Sequence, residues 1–129
     1  MSIARDTTAA NIKPLTGAIV RRYPPGAAIA AGEIVSMQSD GYVDPSDTTS
    51  ATDEASGIAI QAATGELVPA LIDVVISGPV ECLTGATPGA TVYNSATAGE
   101  PTETDSTNMS AVGWAESATV LVVQLERLV

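Results

Sequence analysis

The sequence predicts an all-β fold: a compact barrel or sandwich, with a β-tulip-like pairing of two related β units among the options, preceded by an extended N-terminal arm. Three observations carry this. From Ile34 onward the apolar segments are short, rich in Val and Ile, and separated by Asp-Gly, Ser-Gly, Gly-Pro, Thr-Gly and Pro-Gly turn signals. No segment has the length and period of an amphipathic helix; residues 66–73 come nearest, and Pro69 in their middle limits them to about one turn. One small pattern also occurs twice, over about 30–77 and 87–125, the signature of an internal repeat.

The first copy runs from Gly32 through Ile34, Val35 and Met37, a turn at Asp40-Gly41, an acidic loop, Gly57-Ile58-Ala59 and a closing Val74-Val75-Ile76. The second runs from Gly89 through Val92 and Tyr93, a turn at Ala98-Gly99, another acidic loop, Val112-Gly113-Trp114 and a closing Leu121-Val122-Val123. Gly32 and Gly57 stand 25 positions apart, Gly89 and Gly113 stand 24 apart. Between the second glycine and the closing strand the copies diverge, which places an insertion in the first copy near GELVPALI. One closed barrel and two lobes both fit this repeat.

Along the chain, residues 1–15 lack periodicity and contain Lys13-Pro14, so they read as a flexible or extended arm. Residues 17–22 (GAIVRR) form a β-prone segment ended by Pro24-Pro25-Gly26, giving an arm with its first strand over 1–22 and a β domain over 23–129. Residues 71–77 (LIDVVIS) and 119–125 (TVLVVQL) are the strongest strands, and their nearly continuous apolar runs predict cover on both faces, either within the domain or by a neighbouring molecule. The loops over 44–56 and 99–110, rich in Asp, Glu, Ser and Thr, are expected to be exposed, mobile and on one side of the domain. With no Phe, one Trp and three Tyr, the core must come from Val, Ile, Leu and Ala.

The net charge is −10, and its distribution is uneven. Arg5, Lys13, Arg21 and Arg22 lie in the first 22 positions, whereas every carboxylate except Asp6 lies beyond them. A basic arm on an acidic body argues against nucleic-acid binding through the body, which would forgo attraction to phosphates. Solubility alone also accounts for an acidic surface. No apolar stretch has the length of a membrane span or a secretory signal, so the default expectation is an intracellular product without a membrane partner.

Candidate chemistry is sparse. The absence of histidine removes imidazole acid–base catalysis and His-containing zinc sites. Cys82, the single cysteine, has neither a disulfide mate nor an imidazole and is expected to be a buried apolar side chain. GATPGAT (residues 85–91) lacks the lysine of a phosphate-binding loop and reads as a turn. Lys13, the only lysine, precedes a proline and cannot serve as a carrier-domain lysine at a hairpin tip. Asp40, Asp44, Asp47, Asp53 and Glu54 could offer oxygens to calcium, but not at EF-hand spacing, and glycan binding would have to rest on Tyr23, Tyr42, Tyr93 or Trp114. The expectation is a non-enzymatic protein with no catalytic residue, metal or cofactor. Trp114 occupies the position of Ile58 in the first copy; burial in the core is the simpler reading, an interface anchor the other.

The pattern GEIVSM…DG.V…GIA..AAT…VVISG followed by GATPGATVYNSATAGEPT…VGWAESATVLVVQL resembles the small capsid decoration, or cement, proteins of tailed bacteriophages. The similarity covers about residues 26–125 and rests on glycines and small residues. The resemblance implies a structural virion protein on the outer surface of the expanded capsid, made in the host cytoplasm, commonly trimeric, and stabilising the shell by bridging subunits of the major capsid protein. On that reading Arg5, Lys13, Arg21, Arg22 and Trp114 are the candidate capsid or subunit contacts. Another virion component, a tail-tube, fibre or head-fibre protein, is the alternative, with a calcium- or glycan-binding β module behind it.

Overall fold

The computed structural model describes residues 3–49, 53–105 and 107–125. Its strands are β1 (Ala4–Arg5), β2 (Lys13–Pro14), β3 (Ile19–Tyr23), β4 (Ile34–Met37), β5 (Val43–Pro45), β6 (Gly57–Ala59), β7 (Ile72–Glu81), β8 (Leu83–Thr84), β9 (Thr91–Asn94), β10 (Pro101–Thr102), β11 (Ala111–Ala115) and β12 (Val120–Val123). The only helical turn among the described residues is a 3₁₀ turn at Ala9–Asn11, and residues 65–70 form a tight turn closed by a Gly65–Val68 bridge and followed by a bend. The fold is all-β, as the short Val/Ile segments predict.

All pairings between these strands are antiparallel, and the main path reads β10-β9-β11-β12-β7-β6-β4-β5, with β2 and β3 added on β7. The path is a palindrome of the two repeats. In unit one the order is β5-β4-β6-β7, in unit two β10-β9-β11-β12. The ten-residue β7 serves both. Its residues 72–77 close unit one, between β6 and β3, and residues 78–81 run beside β12 as the first strand of unit two. Gly78 stands at the junction with φ +93, and a Cβ there would lie 2.7 Å from Gly17 O and 2.8 Å from Ala18 Cα. Only glycine turns the strand here and lets the 16–18 turn approach.

Strand register aligns the units residue by residue. Ile34–Ile58–Val75 form one cross-strand row, and Thr91–Trp114–Val122 occupy the same row in unit two. On the opposite face, Val35, Ala59 and Val74 correspond to Val92, Ala115 and Leu121. The repeat glycines have a common cause. A Cβ on Gly57 would collide with the Val75 carbonyl oxygen, and one on Gly113 with that of Val122, so β6 and β11 each pass too close to their neighbour for any side chain.

Packing breaks this equivalence. Ile34, Ile58 and Val75 of unit one join Val92, Ala115, Leu121 and Val123 of unit two in the larger core, with Ile12, Val80, Cys82 and Leu83. Unlike faces therefore pack together. The other face of unit one, with Val35, Ala59, Ile72 and Val74, forms a second core under Ile29 and Ala63. These two covering residues exchange backbone hydrogen bonds of 2.9 and 2.8 Å, joining the loop before β4 to the 60–71 insertion. The insertion is thus the lid that unit one needs and unit two, covered by unit one, does not. Residues 72–77 are covered on both faces within the chain, with Val75 in the larger core and Ile72 and Val74 in the second, whereas β12 is covered within the chain on one face: Leu121 and Val123 are buried while Val120 and Val122 are part-exposed.

The arm is extended, and it lies along the body rather than free of it. β1 pairs with β8, β2 pairs with β7, the Asp6 N–H donates to Cys82 O at 2.9 Å, and Ile12 enters the larger core. These short pairings and one buried isoleucine hold residues 4–14 in place.

Candidate interaction surfaces

Trp114 is 38% exposed. β11 presents it on the outer face of unit two, between Thr91 and Val122, above an open groove of about 390 Å³ lined with Ala111, Gly113, Gln124 and Leu125. The expectation of a buried core tryptophan is corrected by the unlike-face packing: the row that holds Ile58 between the units points outward in unit two. A large amphipathic ring on an open sheet face is the residue type most enriched at binding hot spots.

The four basic candidates do not converge. Arg5 Nε donates to Glu100 Oε2 at 2.7 Å, with a longer bond from its guanidinium to Ala31 O at 3.3 Å, tying β1 to the loop before β10. Lys13 Nζ lies 3.9 Å from Glu81, and Arg22 Nε lies 3.3 Å from Asp73, both at solvent. Exposed pairs of this kind contribute little and exchange readily for other partners. Arg21 is exposed and, among the described residues, has no carboxylate within ion-pair distance. Arg5 is therefore an internal strut, and Arg21 and Trp114 are the candidates with unengaged functional groups.

The described parts of the acidic loops, expected to be exposed and mobile, are hydrogen-bonded to the body and to each other; residues 50–52 and 106 lie outside the described residues. Asn94 at the end of β9 is fully buried and gathers both loops. Its Nδ2 donates to Ser46 Oγ at 2.9 Å and to the carbonyls of Asp47 and Asp53 at 3.2 and 3.3 Å, while its Oδ1 accepts the Ser110 N–H at 2.8 Å. Ser110 Oγ accepts the Ala55 N–H at 2.8 Å, and Asp53 Oδ1 accepts from Gln38 at 2.7 Å. The two loops do share one side, as expected, because one amide binds them together. Sequence reasoning missed Asn94, for which the only signal was an amide at the end of an otherwise apolar strand segment.

Local electrostatics follow from burial. Desolvation raises the Glu33 carboxyl above its ordinary value, against the Ala30 N–H it accepts and the nearby Arg5 charge. Desolvation also raises Asp44, helped by Asp40, Asp53 and Glu66, and its Oδ1 is buried without a hydrogen bond among the described residues. Asp47 is lowered by bonds from the Thr49 hydroxyl and N–H. Burial pushes the Cys82 thiol up to about 12, consistent with its expected role as an apolar core side chain. Among the described residues no three His, Cys, Asp or Glu side chains are grouped to hold a metal ion.

No protein-family model matches the sequence, and comparison with curated proteins finds no match.

Proposed function

We propose that this protein is a structural virion component that binds the outer surface of an expanded phage capsid and stabilises it by bridging subunits of the major capsid protein. The observation that carries this reading is Trp114 on an open sheet face, at the position whose counterpart in unit one is buried against another sheet. A face built on the same row as a sheet-packing face is suited to flat apolar contact. Arg21, together with the solvent-exposed Lys13 and Arg22, adds positive charge that can meet carboxylates on a partner surface. Many copies on a lattice make individually weak contacts count together, since each bridge engages sites already held close. The sequence resemblance supports the same reading.

Co-sedimentation of the full-length protein with undecorated, expanded capsids tests it. Saturable binding, a rise in capsid melting temperature and a blue shift of the single tryptophan's emission are expected. Trp114→Ala should weaken binding by at least about tenfold, as for a hot-spot residue. No binding to the cognate capsid would refute the proposal, and undiminished binding by the variant would remove this face from it.

A further inference from the structure

Five of the six large apolar side chains exposed among the described residues lie along one border of unit one. Ile19 (53%) and Val20 are on β3; Leu67, Val68 (55%) and Leu71 are on the insertion. The Leu67 N–H donates to Pro25 O at 2.9 Å, and Leu71 adjoins Ile72, the register partner of Tyr23. The insertion tip therefore continues the line of β3. That strand pairs with β7 along its length and with no other strand among the described residues, so its second edge is open. An apolar, unpaired edge is a template for a further strand.

The repeat identifies what kind of object fills such an edge. Residues 78–81 are the counterpart of β3, since each runs antiparallel beside the closing strand of its unit. In unit two the outer side of that strand is occupied: β2 pairs Lys13 with Glu81 and Pro14 with Val80, and the Leu15 N–H donates to Pro79 O at 3.0 Å. The chain thus fills this slot with an extended segment in unit two, while among the described residues no segment pairs in the corresponding slot of unit one.

We propose that the open edge of β3 takes an extended segment of a second copy of this chain, giving a head-to-tail assembly. Charge selects the arrangement. Two β3 strands paired with each other would oppose Arg21 and Arg22 of both copies, and like charges across a ladder are destabilising. The acidic body is the complement: every carboxylate but Asp6 follows β3 in the chain, and no Lys or Arg lies between Arg22 and Arg127. At one end of the main path stands β10, between Glu100 and Glu103, which pairs only with β9 among the described residues, whereas at the other end Val43 of β5 already exchanges backbone bonds with Pro24 and Gly26. A basic edge meeting an acidic edge joins two different surfaces of one chain, so the contact is heterologous and closes into a ring or propagates. This inference concerns self-association and stands apart from the capsid reading.

Sedimentation velocity of the full chain from about 1 to 100 µM tests it, because association is concentration-dependent. Species larger than the 13.0 kDa monomer are expected. They should dissociate in about 1 M salt, where screening shortens to about 3 Å. Ile19→Lys/Val20→Lys and, separately, Arg21→Glu should each weaken association by at least about tenfold, by blunting the edge or reversing its charge. Far-UV circular dichroism checks that each variant is folded; all three side chains are exposed, and if one variant failed to fold the other would decide. A monomer at every concentration, or an oligomer untouched by the folded edge variants, would overturn the proposal.

Discussion

Gly113→Ala is a one-carbon change whose cost can be worked from the backbone. The added Cβ would collide with the Val122 carbonyl oxygen and lie 2.9 Å from its carbon and 3.1 Å from the Gln124 nitrogen. No flexible side chain is among these atoms, so relief requires moving β11 away from β12. Overpacking of this kind costs about 1–3 kcal/mol. Weakening a ladder hydrogen bond, such as Gln124 N–H to Val112 O at 2.9 Å, adds about 1 kcal/mol. The sum, about 3 kcal/mol, corresponds to a loss of about 9–15 °C in melting temperature for a domain of this size. Gly57→Ala should behave alike, since its Cβ meets the equivalent carbonyl and lies 2.8 Å from Val74 Cγ1. Gly65→Ala is the control, because nothing lies within 4 Å of its Cβ and the change should be neutral or slightly stabilising. Thermal unfolding followed by circular dichroism reads all three. A Gly113→Ala protein melting within about 2 °C of wild type, a difference below 1 kcal/mol, would refute the close-approach account of the repeat glycines.

Asn94→Ala should lower stability by about 3 kcal/mol, since it strands buried partners in both loops, and urea unfolding would report it; a loss under about 1 kcal/mol would show that the loops hold without their hub. For Asp44 the folded carboxyl sits above its ordinary 3.8, so protonation favours the fold, and the stability it contributes at low pH is lost as pH rises through the folded value. Asp44→Asn should accordingly raise the melting temperature near pH 7 and not near about pH 3, where the wild-type group is already largely neutral; equal effects at both would contradict the assignment. Cys82, fully buried with its thiol raised to about 12, should resist a disulfide reagent in the native protein and react on unfolding in urea. Rapid native-state labelling would place that thiol at the surface.

The repeat was legible because its determinants are local and backbone-based. Gly57 and Gly113 answer to the same close approach whichever way their sheets face, so both copies retain them. The insertion near GELVPALI was visible as a length mismatch, and its task as a lid explains why only one copy carries it. What could not be read is which face of each unit goes inward. Ile58 and Trp114 hold the same register position, and only the packing of unlike faces buries one and exposes the other. The arm escaped for a related reason: β1 and β2 pair over two residues each, and a single Ile12 reaches the core, which is too little to set up a periodicity. Asn94 was hidden because its partners are 16 to 48 positions away in sequence and include three backbone groups.

The shared strand has a consequence for how this molecule can change over generations. A repeat that leaves one continuous strand belonging to both halves makes them hard to part again, since a cut between residues 77 and 78 turns the middle of β7 into two free ends and separates residues 80–81 from β2, their partner on the outer side. Drift is then uneven by construction. The 60–71 lid can lengthen, shorten or change its tip while Ile29 and Ala63 keep their bonds, whereas a residue gained or lost between Ser77 and Val80 would slide one inheritance past the other and reverse every side chain beyond it.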